Sequence, residues 1–262
     1  MIPRFSIWFI AGACLVGSAN GTPPPNILFI LMDDMGWRDA GCYGSTYYET
    51  PNIDRLAREG MRFTDAYVNA PVCTPSRACI ISGQYAPRHG IYIVSPEPTD
   101  ASAWQQYQRS TAQKPMVPVA NNKTLPASVI GFPAALKSAG YATGFTGKWH
   151  HQPDPVTMGF DYHLQSKKSK NDPKGSYELT RMAIEFMREH REQPFFFCLA
   201  HHAPHVPVEA REPVIAKYRA KPAPAGHLPE YAAMLEHADT GIGQLLGALE
   251  ELKLPERTAD IT

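Results

Sequence analysis

The sequence predicts an α/β layered domain with a mostly parallel central sheet flanked by helices. The two best strand candidates, "NILFILM" (26–32) and "PFFFCLA" (194–200), are apolar without alternation, as in strands covered on both faces. Segments with apolar residues at helical spacing lie between and after them. Strand and helix patterns therefore alternate along the chain, which is the order of a parallel α/β sheet.

Residues 1–21, "MIPRFSIWFIAGACLVGSANG", join one Arg to an apolar stretch and then to small residues near the end, and "TPPP" follows. This reads as a secretory signal peptide. The apolar run is short for a membrane span, so the reading is cleavage, no stable span afterwards, and export to the periplasm or the extracellular space. The mature domain then covers 22–262. After "NILFILM", Thr50-Pro51 opens a helix with Thr50 as N-cap; Ile53, Leu56 and Ala57 give it an apolar face, and Gly60 ends it. "MRFTDAYV" (61–68) reads as a strand near an edge, and "PSRACIIS" as a short helix closed by Gly83. Residues 95–125 are polar and proline-punctuated, a long surface excursion of the kind that shapes binding sites. "PAALKSAG" ends a helix, "YATGFTG" is the next strand, and "GSYELTRMAIEFMREHRE" is helical. "PEYAAMLEHADTGIGQLLGALEEL" is a long helix with Leu245 and Leu249 on its apolar face. The chain stops just after it, where a further strand would begin. The domain is therefore expected to be incomplete at its C-terminus, leaving Leu245 and Leu249 uncovered.

Composition narrows the function. Lys+Arg and Asp+Glu both number 25 in 262 residues. With no basic stripe and no zinc-finger spacing, nucleic acid is not an expected partner. Of five cysteines, cleavage removes Cys14 and leaves Cys42, Cys73, Cys79 and Cys198. In an oxidising compartment these allow one or two disulfides, which sequence does not pair.

Ligands of open α/β sheets bind beyond the carboxyl ends of the strands, so the residues after each strand carry the chemistry. Asp33-Asp34 follow the first strand, Lys148, His150 and His151 the "YATGFTG" strand, and His201, His202 and His205 the "PFFFCLA" strand. Adjacent carboxylates repel unless a cation or hydrogen bonds compensate, and hard oxygens suit calcium or magnesium. Lys148 offers a point charge for an anion, His150 an acid or base. Prolines on both sides of His205 stiffen the backbone around a proton donor. The histidines lack the thiolate or HExxH spacing of a strong zinc site. Cys73 lies at or just before the N-terminus of the "PSRACIIS" helix, where unpaired amides favour anions, and Arg77 is one turn in. Cys79 lies deeper in the helix, in an apolar setting that suits a packed thiol.

In order and spacing, "NILFILMDDMGWRDAGCYG", "TPNIDRLAREGMRFTDAY", "CTPSRACIISGQY", "GYATGFTGKWH" and "HAPHVP" resemble the type I sulfatases, over nearly the whole mature chain. The resemblance implies the alkaline-phosphatase-like form of the layered fold, and a catalytic domain over 22–262. It implies that a formylglycine-generating enzyme oxidises Cys73 to Cα-formylglycine, whose hydrated gem-diol attacks the sulfur of a sulfate ester. Asp33 and Asp34, with the modified Cys73, match ligands of a calcium or magnesium ion. Arg77 matches the arginine that holds the modified residue. Lys148 and His150 match groups that bind the anion and assist elimination, and His205 the histidine that protonates or orients the leaving oxygen. The substrate is then a sulfated small molecule or glycan. Two departures stand out. The later Asp-Asn or Asp-His metal ligands and the downstream lysine of the family are absent, and the usual "GKWHLG" is "GKWHHQ". Two rival readings follow: a phosphonate- or phosphate-ester hydrolase of the same superfamily, and a non-catalytic binder of sulfated glycans.

Overall fold

The computed structural model describes residues 23–94, 121–126, 128–150, 153–165 and 167–262. Residues 1–21, read above as a signal peptide, most of the 95–125 excursion and His151 lie outside the described residues. Five strands form one sheet: β1 (Asn26–Asp33), β2 (Ala142–Gly147), β3 (Tyr162–Leu164), β4 (Phe195–Pro204) and β5 (Thr258–Ile261). The helices are α1 (Pro51–Glu59), α2 (Cys73–Ser82), α3 (Ala86–His89), α4 (Phe132–Ser138), α5 (Ser176–Glu189), α6 (Glu212–Arg219) and α7 (Pro229–Glu251). The strand order is β3-β2-β4-β1-β5, and every neighbouring pair is parallel. The expected layered α/β fold is therefore what forms.

Because side chains alternate along a strand, β4 feeds both layers. Phe195, Phe197 and Leu199 join Leu28, Leu179, Ala183, Phe186, Ile242 and Leu245 in the layer built with α5 and α7. Phe196, Cys198 and Ala200 join Ala78, Ile81, Phe145 and Phe160 in the layer that contains α2. Each fully buried Leu or Phe contributes about 1.5–3 kcal/mol by leaving water. That is why the two unalternated apolar runs occupy the centre of the sheet.

Three expectations change. "MRFTDAYV" forms no strand: residues 61–68 are all exposed. A strand's amides need a partner edge, and none of the five strands pairs with this segment. The further strand does begin, as β5, with Asn26 to Phe29 of β1 in register with Thr258 to Ile261. Leu245 and Leu249 are not uncovered, being 0% and 1% exposed, because the sheet and its neighbouring helices already enclose that face of α7. Cys42, Cys73, Cys79 and Cys198 are all free thiols.

Candidate active site

All five strands run the same way, so their carboxyl ends share one rim, and the polar residues of the motifs collect there. Asp33 ends β1 at a register shift, where the pairing jumps from Leu31 with Ala200 to Asp33 with Pro204. Its carboxylate is 2% exposed and takes a cation on each oxygen. Arg77 Nη2 donates to Oδ1 at 3.0 Å, and Lys148 Nζ donates to Oδ2 at 2.6 Å. Burial pushes the Asp33 carboxyl up, but Lys148 and Arg77 outweigh it and hold it below the ordinary carboxylate range. Arg77 also donates through Nη1 to the Lys148 carbonyl, which locks α2 to the end of β2.

Gly147 makes the Lys148 position possible. Its φ is 102°, and a Cβ there would lie 1.8 Å from the Ala200 carbonyl oxygen. Only glycine lets the chain pass that close to β4, where Lys148 N donates to the same oxygen at 2.9 Å.

Cys73 is the first residue of α2, with Val72 as its extended N-cap. The thiol is partly buried at a helix end that offers unpaired amides to an anion. Thr74 Oγ1 donates to the His150 carbonyl at 3.1 Å, so the first turn of α2 is tied to the segment after β2. Burial lowers the pKa of His150, and the Lys148 and Arg77 charges lower it further against the opposing pull of Asp33. His205 follows β4, and both flanking Pro bonds, Ala203–Pro204 and Val206–Pro207, are cis. Its Nδ1 lies 2.6 Å from the Val206 carbonyl oxygen, and its Nε2 lies 3.6 Å from Asp34 Oδ2.

Asp33, Arg77 and Lys148 thus touch one another, His205 faces Asp34, and His150 lies within the field of the group. His201 does not join them: it is fully buried on the other face of β4, its ring nitrogens have no partner among the described residues, and burial lowers it to about 4. Asp34 and His150 carry φ of 67° and 66°, two of only three non-glycine residues with positive φ among the described residues. Such backbone costs energy and concentrates at functional sites, a signal invisible in the sequence. His202, the first residue of "HAPHVP", and Lys174, outside the motifs, also lie within the electrostatic field of this group.

A calcium or magnesium ion would find hard donors in Asp33 and Asp34, the chemistry such ions prefer. Yet among the described residues no group of three or more His, Cys, Asp and Glu is placed to hold a metal. Calcium wants roughly six to eight oxygens, so the described residues supply part of such a shell and do not complete it.

The sulfatase family model matches residues 25–259. N-acetylgalactosamine-6-sulfatase of Homo sapiens is 32% identical over 282 residues, covering 93% of this chain and 50% of that protein. The chain spans about half the length of the curated relatives it matches. Among solved structures, Ps i-CgsB in complex with k-i-k-neocarrahexaose superposes with a TM-score of 0.73 at 27% identity, covering 90% of this chain and 57% of that one. The phosphonate monoester hydrolase of Agrobacterium radiobacter, at 16% identity and a TM-score of 0.65, shares the fold over 90% of this chain and 61% of its own.

Proposed function

The chain belongs to the sulfatase family, and from that membership we propose that it hydrolyses sulfate esters and releases inorganic sulfate. The observation that carries the reading is the largely buried Arg77–Asp33–Lys148 cluster, whose Arg77 lies one helical turn after Cys73, the first residue of α2. Converted to Cα-formylglycine by a formylglycine-generating enzyme and hydrated, residue 73 supplies a gem-diol whose one hydroxyl displaces the alcohol at sulfur and whose other releases sulfate. Asp33, Asp34 and residue 73 would hold a divalent ion, which would supply positive charge to the sulfate oxygens.

The chain's own residues do the rest. Arg77, pinned to Asp33 and to the Lys148 carbonyl, holds residue 73 from one turn into the helix. Lys148 binds the sulfate anion, with Asp33 fixing its ammonium. The α2 amides add fixed positive dipole where negative charge develops. His150, favoured in its neutral form, takes the proton from the hydroxyl that expels sulfate. His205 donates a proton to the leaving alcohol oxygen, its ring oriented by Val206 and Asp34. The substrate is a sulfated small molecule or glycan, and the protein reaches it outside the cytoplasm after loss of residues 1–21. Among the described residues no helix is long and apolar enough to cross a membrane.

Peptide mass spectrometry after co-expression with a formylglycine-generating enzyme tests the reading. Cys73 is expected as the aldehyde, and Cys42, Cys79 and Cys198 as thiols. An unmodified Cys73 from a competent host would overturn it. The fold shared with a phosphonate monoester hydrolase favours a second reading, hydrolysis of phosphonate or phosphate esters. Rates on paired aryl sulfate and aryl phosphonate substrates separate the two, and sulfate binding without turnover of either identifies a non-catalytic binder.

A further inference from the structure

Asp34 is exposed, and its own side chain does not hold it in place. Among the described residues its carboxylate makes no hydrogen bond and meets one charged group, the His205 ring, at 3.6 Å. Its φ of 67° lies in the left-handed region. Aspartate enters that region most readily when its side chain hydrogen-bonds locally. Asp34 does not do so, and the surrounding structure must therefore hold it there. The restraint comes from the chain on either side.

Before Asp34, Arg77 and Lys148 hold Asp33. Asp33 lies on the strand face of Ile27, Phe29 and Leu31, the side where α2 packs. After Asp34, a different carboxylate takes over. Asp39 Oδ2 accepts from Gly36 N at 2.9 Å, and Asp39 N donates back to Gly36 O at 3.0 Å, so the two bonds close the segment that follows Asp34. Gly36 allows the close approach, because a Cβ there would lie 2.8 Å from Asp39 Oδ2 and displace it. The same oxygen accepts from Tyr231 Oη at 2.6 Å, in the first turn of α7. Burial, and then the Asp39 charge, push the pKa of the Tyr231 hydroxyl up, so it remains a donor. Tyr231 is itself anchored, with Met32 of β1, against Ala203, Met234 and Ala238. The Asp34 turn is thus gripped from both layers of the fold: by Arg77 and Lys148 on the α2 side, and by Tyr231 through Asp39 on the α7 side.

We propose that Asp39 and Tyr231 are positioning residues: together they hold the Asp34 turn so that its carboxylate stays beside His205 and open to a divalent ion. Neither acts on the substrate directly. The proposal rests on the sulfatase reading for what Asp34 and His205 do, and on the geometry alone for how they are held.

Two measurements on the full chain test it. The first needs neither metal nor turnover. It follows the ring Nε2 resonance of His205 in the metal-free protein at one fixed pH, assigned by its loss in H205A. Asp34→Asn is expected to shift that resonance. Tyr231→Phe removes one hydroxyl and keeps the ring that packs 5.3 Å from Tyr48; it is expected to reproduce about half of the D34N shift or more, and to add less than about a quarter of it in the D34N background. The second measurement is kcat/KM of the formylglycine-bearing protein. Y231F and D39N are each expected to lower it about tenfold, the cost of a small misplacement transmitted to the site. The double variant should fall no more than about twofold below either one, because both break the same grip. A hydroxyl with a merely structural role would leave the His205 resonance in place and give additive losses. A resonance that D34N or Y231F fails to move would overturn the proposal, as would additive losses in the Tyr231–Asp39 pair. A wild type without turnover whose His205 resonance still answers to Y231F would retire the hydrolase reading and leave the positioning role standing.

Discussion

Asp33 Oδ2 receives Lys148 Nζ at 2.6 Å although their strands are not neighbours, since β4 runs between β1 and β2. The pair closes over the end of β4 and, with Arg77 on the other oxygen, fixes three elements by one carboxylate. Removing that charge strands two cations that are mostly buried. Asp33→Asn is therefore expected to destabilise the fold by about 3–5 kcal/mol, beyond any loss of activity. The depressed carboxyl adds a pH signature. Its stabilisation is complete above the ordinary value of 3.8 and is lost as the pH falls through and below it. Urea unfolding at neutral pH and at acid pH reads both. A D33N protein within about 1 kcal/mol of wild type would show that the cluster is not structural.

His201 sets a second acid limit, at higher pH. Folded, it stays neutral down to about 4; unfolded, it takes a proton near its ordinary 6.5. The unfolded chain then binds more protons between these values, so stability present above 6.5 is lost as the pH falls toward 4. For this one fully buried ring the loss is about 3 kcal/mol. His201→Leu suits an apolar site with no hydrogen-bond partner among the described residues, so it should be near neutral or stabilising at pH 7 and should flatten the profile between pH 6.5 and 4. An unchanged slope in H201L would assign the acid sensitivity elsewhere.

Asp239 on α7 caps a helix far away in sequence. Its carboxylate accepts from Ile53 N at 2.9 Å and from Asn52 N at 3.1 Å, both in the first turn of α1, and from Asn52 Nδ2 at 2.8 Å. Asp239→Ala is expected to cost about 2–4 kcal/mol, a lost cap plus buried donors left without acceptors. Asp239→Asn, which keeps one oxygen, should recover part of that. Thermal unfolding of the two variants measures the difference, and equal melting temperatures for D239A and wild type would refute the cap.

That cap marks the limit of what the sequence discloses. β1 and β4 were legible because strands covered on both sides must be apolar throughout. Asp33, Lys148 and His205 were legible because each follows a strand, and parallel strands put such residues on one rim. Thr50 is the N-cap residue of α1, as its type and position indicate, but its side chain bonds no helix amide. In the fold its hydroxyl instead accepts from Gly41 N and donates to Asp54, and the helix amides go to Asp239. That pairing depends on which face of α7 meets α1, which no local pattern encodes. Tyr231 was hidden for a related reason: a tyrosine on the apolar face of a helix reads as core until its hydroxyl is found on Asp39. "MRFTDAYV" misled because β-propensity does not supply a partner edge.

The incomplete oxygen shell makes a quantitative expectation for metal. Two carboxylates give calcium little of the anionic charge its affinity depends on, and both Asp33 oxygens already face cations. Calorimetric titration of the 262-residue chain with calcium is expected to give a dissociation constant of about 10⁻³ M or weaker. Asp34→Asn should weaken it further. Stoichiometric binding with a constant below about 10⁻⁵ M would mean that the described residues complete the site after all.

His205 offers the sharpest test of assigned roles. Its Nδ1 is held by the Val206 carbonyl and its Nε2 faces outward toward Asp34, a ring with one nitrogen fixed and the other presented. If that nitrogen protonates the leaving oxygen, its value depends on how much help the alcohol needs. A sugar or alkyl alcohol leaves badly without a proton; an activated phenol leaves well without one. His205→Ala is therefore expected to slow poor leaving groups by about 10²–10⁴-fold and activated aryl sulfates by about tenfold or less. The comparison is kcat/KM for both substrate classes, using the formylglycine-bearing protein. Equal losses on both would make His205 a sulfate-binding or structural residue, because neither of those roles depends on the basicity of the alcohol that departs.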